Sequence, residues 1–418
     1  MGRFCLRHAR ELLTLARPLS GDPSADPWDE APLGLIRDGA VLVDGDRIVA
    51  VGSTDALDPW LVKDPSIAVI EVGDRVLAPG LVDAHTHSLF AGSRAGEYAL
   101  RVRGESYAAI AARGGGIAAS VRSLRAADDA ALSAQLAQHL ATMRAHGTTT
   151  VEVKTGYALS IDDELRSLGI IAGAGAIPTW LPLHAVPPEL RGLADGRARY
   201  LACVEGPMFD AVLRQGLARA IDAYIDGPGF SVAEVLPTLT RAKAEGFAIR
   251  LHVGQFEDVG GAELAASLGA QSVDHLEHVS AHGLDRLAAA GVTAVLLPGA
   301  AFSLGQSMPN ARQMRARGVS VALATDFNPG TSHTQSLPLM AAFGVRQMGL
   351  STVEAWHAIT RVAADALGLA DRGRIVPGAR ADLAVFAYPT YEALPYDFGT
   401  PRAVWAWSGG ALTHGALG

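Results

Sequence analysis

Cysteine is scarce, with only Cys5 and Cys203 in 418 residues. So sparse a pair offers no disulfide framework. It reads as two small apolar side chains in a reducing compartment, which makes a cytoplasmic location the expectation. Charged residues reach only 19% against 49% hydrophobic, which argues against disorder and supplies a large buried interior. Positive charge is not in excess: 35 lysines and arginines face 43 aspartates and glutamates, a net charge of −8. That sign leaves no electrostatic footprint for nucleic acid or an anionic membrane. No run of ~18 apolar residues occurs, so no membrane-spanning helix is expected. The short apolar run at residues 11–15 is flanked by arginines and does not read as a secretory signal.

What is present is more chain than one ordinary domain needs, since an elaborated α/β barrel takes ~250 residues or more. Residues 40–43 and 47–51 read as a hairpin around Asp44-Gly45-Asp46, a turn tolerant of positive φ. Residues 373–376, 382–386 and 402–408, the last followed by Gly409-Gly410, also read as β structure. Both chain ends are therefore expected to join in one small β-sandwich, from residues 1–78 and 369–418. Between them, in residues 79–368, strands alternate with helices. Strands are expected to end near residues 81–85, 149–154, 180–184, 223–226, 249–252, 272–275, 294–297 and 321–326. These are mostly apolar runs, as parallel strands covered on both sides require. In the clearest helix Leu132, Leu136, Leu140 and Met143 share one face, Asp128 or Asp129 caps the start and Gly147 ends it. The fold class is α/β, a closed (β/α)8 barrel whose site lies at the C-terminal ends of its strands.

Those ends carry chemistry. The first strand ends in His85 and His87, the second in Lys154, the third in His184, the fifth in His252, the sixth in His275 and the eighth in Asp326. In an extended chain His85 and His87 face the same side and can address one ion. His252 and Asp326 complete an imidazole–carboxylate set suited to one zinc or iron ion. A cation there lowers the pKa of a water from 15.7 toward ~7. Each of these residues taken singly has an ordinary structural reading; their coincidence at matching barrel positions does not. His275 reads as a further ligand, a proton shuttle or an orienting residue, and Lys154 as an active-site lysine or a rim lysine paired with Glu152 or solvent. His278 and His282 read as surface or loop residues.

The run Pro79-Gly80-Leu81-Val82-Asp83-Ala84-His85-Thr86-His87 resembles the opening motif of the amidohydrolase superfamily. Glu152-Val153-Lys154-Thr155-Gly156-Tyr157 and Ala324-Thr325-Asp326-Phe327-Asn328-Pro329-Gly330 are similar to the imidazolonepropionase family in particular. So are residues 90–94, 113–117, 147–150, 184–189, 273–276 and 295–299, all in that family's order. The resemblance covers residues 77–332 and thins toward both ends, although residues 379–383 look like the superfamily's closing strand. It implies one metal held by His85, His87, His252 and Asp326. It also implies substrate contacts from Arg94, Tyr157, His184, Gln255, Asn328, Gly330 and Thr331, and hydrolysis of 4-imidazolone-5-propanoate to N-formimidoyl-L-glutamate. Arg94 has the fork of donors that a propanoate needs, while Asp326 and His275 compete for the role of base.

Two departures from the family pattern stand out. Val253-Gly254-Gln255 lacks the usual aspartate after His252, and Gln255 cannot act as a base. Thr331-Ser332-His333 replaces a small residue followed by Ser-Pro. The rival readings are a heterocycle deaminase on the same barrel, which has no propanoate for Arg94 and Tyr157 to bind, and a non-catalytic barrel scaffold. A small-molecule substrate is the expected partner, and a homodimer stays open beside the monomer.

Overall fold

The computed structural model describes residues 2–22 and 24–417. The chain opens with β1 (Arg3–Leu13), β2 (Leu35–Asp44), β3 (Arg47–Ser53), β4 (Ala68–Glu71) and β5 (Val76–Pro79). β2 and β3 form the expected antiparallel hairpin, with Gly45 at φ 61° in its turn. Eight further strands then alternate with helices: β6 (Leu81–Asp83), β7 (Thr148–Lys154), β8 (Ile177–Leu183), β9 (Ala220–Ile225), β10 (Ala248–Val253), β11 (Ser272–His275), β12 (Thr293–Leu296) and β13 (Val321–Leu323). The chain returns to the first sheet with β14 (Leu383–Phe386), β15 (Ala403–Ser408) and β16 (Ala411–His414).

The two ends meet where β5 pairs antiparallel with β14, giving one mixed eight-stranded sheet. Leu6, Leu12, Val41, Val43, Leu77, Leu383, Val385 and Trp407 form its inner cluster, drawn from both termini. Burying each such aliphatic side chain contributes about 1.5–3 kcal/mol, so neither end forms this core without the other. Residues 373–376 are not the expected strand. Gly373 adopts φ 67°, a Cβ there would lie 2.5 Å from Thr360 O, and the Ile375 amide donates to Thr14 O instead of to a ladder. The segment is a pinned loop.

The parallel strands run β13-β12-β11-β10-β9-β8-β7-β6. The extensions of β6 and β13 then approach through a parallel bridge between Thr86 and Phe327, which closes the circle. Asp83 seals this seam by accepting from the Thr325 amide at 3.0 Å and its hydroxyl at 2.6 Å. The helix Asp129–Ala145 is capped by Asp128, which accepts from the Ala131 amide, and it packs Leu132, Leu136, Leu140 and Met143 against Val151 and Val153 of β7.

Period-two alternation decides what points into the barrel. Ile221, Ala223 and Ile225 of β9, and Ile249, Leu251 and Val253 of β10, join the core cluster beneath the helices. Asp222, Tyr224, Arg250 and His252 occupy the alternate positions, and all are buried. The strands are therefore apolar outward and polar inward, rather than apolar on both faces as their sequences suggest. Register then sets neighbours level: His252 lies opposite Tyr224 on β9 and Asp274 on β11.

Candidate active site

Beyond β6 the chain stays extended through the Thr86 bridge, so His85 and His87 project to the same side, their ring centroids 5.2 Å apart. β10 delivers His252, β11 ends at His275, and the turn after β13 brings Asp326 under His85, with its amide donating to His85 O. His85 Nε2 lies 3.5 Å and His87 Nε2 3.7 Å from Asp326 Oδ1, and the Nε2 atoms of His87 and His252 are 3.4 Å apart. Ligand atoms of His85, His87 and Asp326 fall within 4.8 Å of one another, as do those of His85, His252 and His275. All five residues are buried. His275, Leu276 and Asp326 adopt φ of 80°, 68° and 49°. Such backbone costs about 1–3 kcal/mol per residue and gathers at functional sites.

The protonation pattern suits a cation. His85 Nδ1 donates to Asp274 Oδ2 at 2.7 Å; a carboxylate only accepts, so the proton sits on Nδ1 and the Nε2 lone pair is bare. That Nε2 is buried and has no hydrogen-bond partner among the described residues. His252 Nδ1 stands 3.0 Å from Asp222 Oδ2, within ion-pair distance. Burial, then neighbouring positive groups, holds His85 and His87 well below the usual imidazole range, so both are neutral. Burial pushes Asp326 up to about 7. For His275 burial pushes down, but Glu277, Asp326 and Asp274 outweigh it and the imidazole moves up. Bare imidazole lone pairs converging with a carboxylate fit a divalent metal.

Beneath the histidines lies a layer of charge. Lys154 Nζ is fully buried and contacts Glu152 Oε1 at 3.0 Å, Asp222 Oδ2 at 2.9 Å and Asp274 Oδ2 at 3.2 Å. Burial alone would depress the lysine; the three carboxylates overcome it and raise its pKa. Asp222 is driven low by His252 and Lys154 despite its burial. Lys154 therefore bridges the two carboxylates that orient His85 and His252, and its partners extend beyond the expected Glu152. Sequence pattern alone does not single out Asp222 for this role. The signal available was a lone carboxylate inside an apolar strand, which is almost never buried unless paired.

A cavity opens above the histidines, lined by His87, His252, His275 and Asp326 together with Arg94, Tyr157, His184, Gln255, Asn328 and Thr331. Ile117, Tyr224 and Phe256 also line it, and sequence patterns did not single them out. His85 and Gly330 are not among the lining residues. Gly330 serves differently: a Cβ there would lie 2.2 Å from Arg94 Nη1, so its bareness admits the guanidinium. His184 donates from Nδ1 to Gly156 O at 2.9 Å, and its ring stacks on His87 at 5.2 Å. Asn328 Oδ1 accepts from the amides of Gly330 and Thr331, both at 2.7 Å, which fixes the loop. Gly254 sits at φ 64°, where a Cβ would meet Val279 Cγ2 at 2.7 Å. His333 packs against Phe327 at 5.2 Å, and His278 and His282 are exposed, as expected.

Residues 94–411 match the Amidohydrolase family, and residues 39–58 match the Imidazolonepropionase-like composite domain of bacteria. The imidazolonepropionase of Paracoccus denitrificans is 41% identical over 88% of this chain and 92% of its own. That of Acidiphilium cryptum is 43% identical over 87% and 90% respectively. Among solved structures, an E. coli guanine deaminase superposes over 100% of both chains with TM-score 0.73 at 15% identity. An adenosine deaminase from Xanthomonas campestris gives TM-score 0.73 at 18% identity, covering 99% of this chain and 93% of that one. The structural likenesses speak to the barrel fold, and the sequence relatives go further: the chain belongs to the imidazolonepropionase family of the amidohydrolases.

Proposed function

We propose that the chain hydrolyses 4-imidazolone-5-propanoate to N-formimidoyl-L-glutamate, a step in histidine degradation. One observation carries this reading. The cavity lined by His87, His252, His275 and Asp326 also holds Arg94, a buried guanidinium able to pair with a propanoate. His85, His87, His252 and Asp326 would hold one zinc or iron ion. When bound, it would supply a Lewis acid and acidify a water molecule near neutral pH.

The remaining chemistry belongs to the chain. Arg94 takes the propanoate carboxylate, and Tyr157, His184, Gln255, Asn328 and Thr331 surround the ring. Gln255 acts as a hydrogen-bonding group with no capacity as a base. Water adds to the ring carbonyl carbon, the ring C–N bond breaks, and one proton moves from the water to the departing nitrogen. Asp326, after β13, and His275, at the end of β11, both line the cavity with one strand between them, and they are the two candidates to move the proton. The buried Asp274 and Asp222 keep His85 and His252 in the tautomer that presents Nε2 to the ion.

The test is direct. Metal-loaded protein incubated with freshly prepared imidazolone propanoate should abolish the ring's ultraviolet absorbance and release formimidoylglutamate. Ammonia release without ring opening would replace this reading with a deaminase. No turnover, with no chelatable metal, would replace it with a non-catalytic scaffold.

A further inference from the structure

Arg94 does not stand on its own. It is the residue before the helix Ala95–Val102, and one turn into that helix Glu97 reaches back to it. Glu97 Oε2 accepts from Arg94 Nε at 2.9 Å and lies 2.8 Å from Nη2. The same carboxylate accepts from the Gly116 amide, at 3.1 Å to Oε1 and 3.2 Å to Oε2. Gly116 caps the helix Ile117–Ala126, and Ile117 lines the cavity. A single carboxylate thus clasps the guanidinium on one side and the glycine-rich segment on the other.

The surroundings are cut to this arrangement. A Cβ on Gly115 would come 3.0 Å from Glu97 Oε1 and 2.9 Å from Ile110 O. A Cβ on Gly330 would collide with the guanidinium at Nη1 and Cζ, and Gly330 O is itself held by Arg101 Nη2 at 2.9 Å. A buried arginine loses most of its hydration, and a hydrogen-bonded carboxylate offsets that loss while fixing the guanidinium plane. Orientation matters because a carboxylate ligand is recognised by paired N–H groups of fixed direction.

We infer that Glu97 is a positioning residue for carboxylate recognition, setting the plane of Arg94 and tying the Gly114–Gly116 segment to it. The inference rests on the functional reading above. It predicts a role felt in binding of the carboxylate and not in the chemical step, and one that a merely structural residue would not have.

The experiment compares imidazole-4-propanoate, which cannot be hydrolysed, with its methyl ester by calorimetric titration of the metal-loaded protein. Wild type should prefer the acid. Glu97→Gln should lose about 10-fold of that preference, the scale of one charge-assisted hydrogen bond, while ester affinity stays put. With the true substrate KM should rise by a similar factor and kcat should change less than about 3-fold. Amide hydrogen exchange at residues 114–116 should quicken in the same variant. Gly330→Ala, which pushes on the guanidinium without touching Glu97, should reproduce the loss even if Glu97→Gln folds poorly. A wild type indifferent to acid and ester would overturn the functional reading and this inference with it. A wild type that discriminates, beside variants that discriminate equally well, would overturn the inference alone.

Discussion

In the terminal sheet, Leu6 and Leu12 of β1 and Val41 and Val43 of β2 pack together, whereas the inward positions of β7, β9, β10 and β11 carry Glu152, Lys154, Asp222, Arg250, His252 and Asp274. The side chains of both interiors are buried. The apolar one needs only matching volumes. The charged one takes ions out of water at several kcal/mol each and recovers the loss only through well-placed partners. A barrel filled with branched aliphatic side chains would hold together as well or better. The charged interior is therefore an arrangement for function: Lys154 holds Asp222 and Asp274, and these hold His252 and His85.

That contrast can be broken most forcefully at the top of the stack. His85→Ala removes a nitrogen shared by the His85–His87–Asp326 and His85–His252–His275 groups. Bound metal should be lost and turnover should fall at least about a thousandfold, read by elemental analysis together with the ultraviolet assay. Full metal content in this variant would mean that the cluster is not the metal centre. One layer down, Lys154→Met leaves Glu152 with Arg250 and leaves Asp274 and Asp222 with only His85 and His252. Removing one partner of a buried ion pair costs about 3–5 kcal/mol, so urea denaturation should report a loss of that size. A change below about 1 kcal/mol would show that the layer relaxes or takes up protons.

The rim of this site is readable from sequence and the layer beneath it is not. His85-x-His87 follows an apolar run, and strand periodicity alone places both imidazoles on one side. His252, His275 and Asp326 close apolar runs that alternate with helices, so a barrel brings them to one end. Asp222 and Asp274 carry no such mark. Their meeting with Lys154 depends on the register of β7, β9, β10 and β11, which single-strand patterns do not contain. Tyr224 carries no such mark either, because one aromatic on a strand looks like core. Residues 373–376 mislead in the other direction: Ile375 and Val376 have strand propensity, but the tight approach of Gly373 to Thr360 overrides it. Gly330 marks the same limit, because an absent side chain reveals its purpose only when Arg94 is seen against it.

Arg94 sharpens the comparison within the cavity itself. Arg94→Met keeps most of the side chain's bulk and removes its donors. It should lower kcat/KM for the propanoate substrate about 10- to 100-fold, as loss of a charge-assisted pair implies, with metal content unchanged. An unaltered specificity constant would place the carboxylate elsewhere, and a loss of metal would mean that Arg94 supports the histidines.

The smallest effect is expected in the terminal sheet, and it tests whether the two interiors are independent. Ile48 is buried in the apolar cluster beside Val43 and Leu383, and its amide donates to Ala379 O where the two chain ends meet. Ile48→Val deletes one methylene and should cost about 0.5–1.5 kcal/mol. Because no residue of this cluster lines the cavity, kcat/KM and metal affinity of the folded protein should match wild type. If kcat/KM instead shifts by more than about 3-fold, packing in the apolar sheet reaches the charged barrel through the β5–β14 pairing. Stability and function would then share one core instead of two.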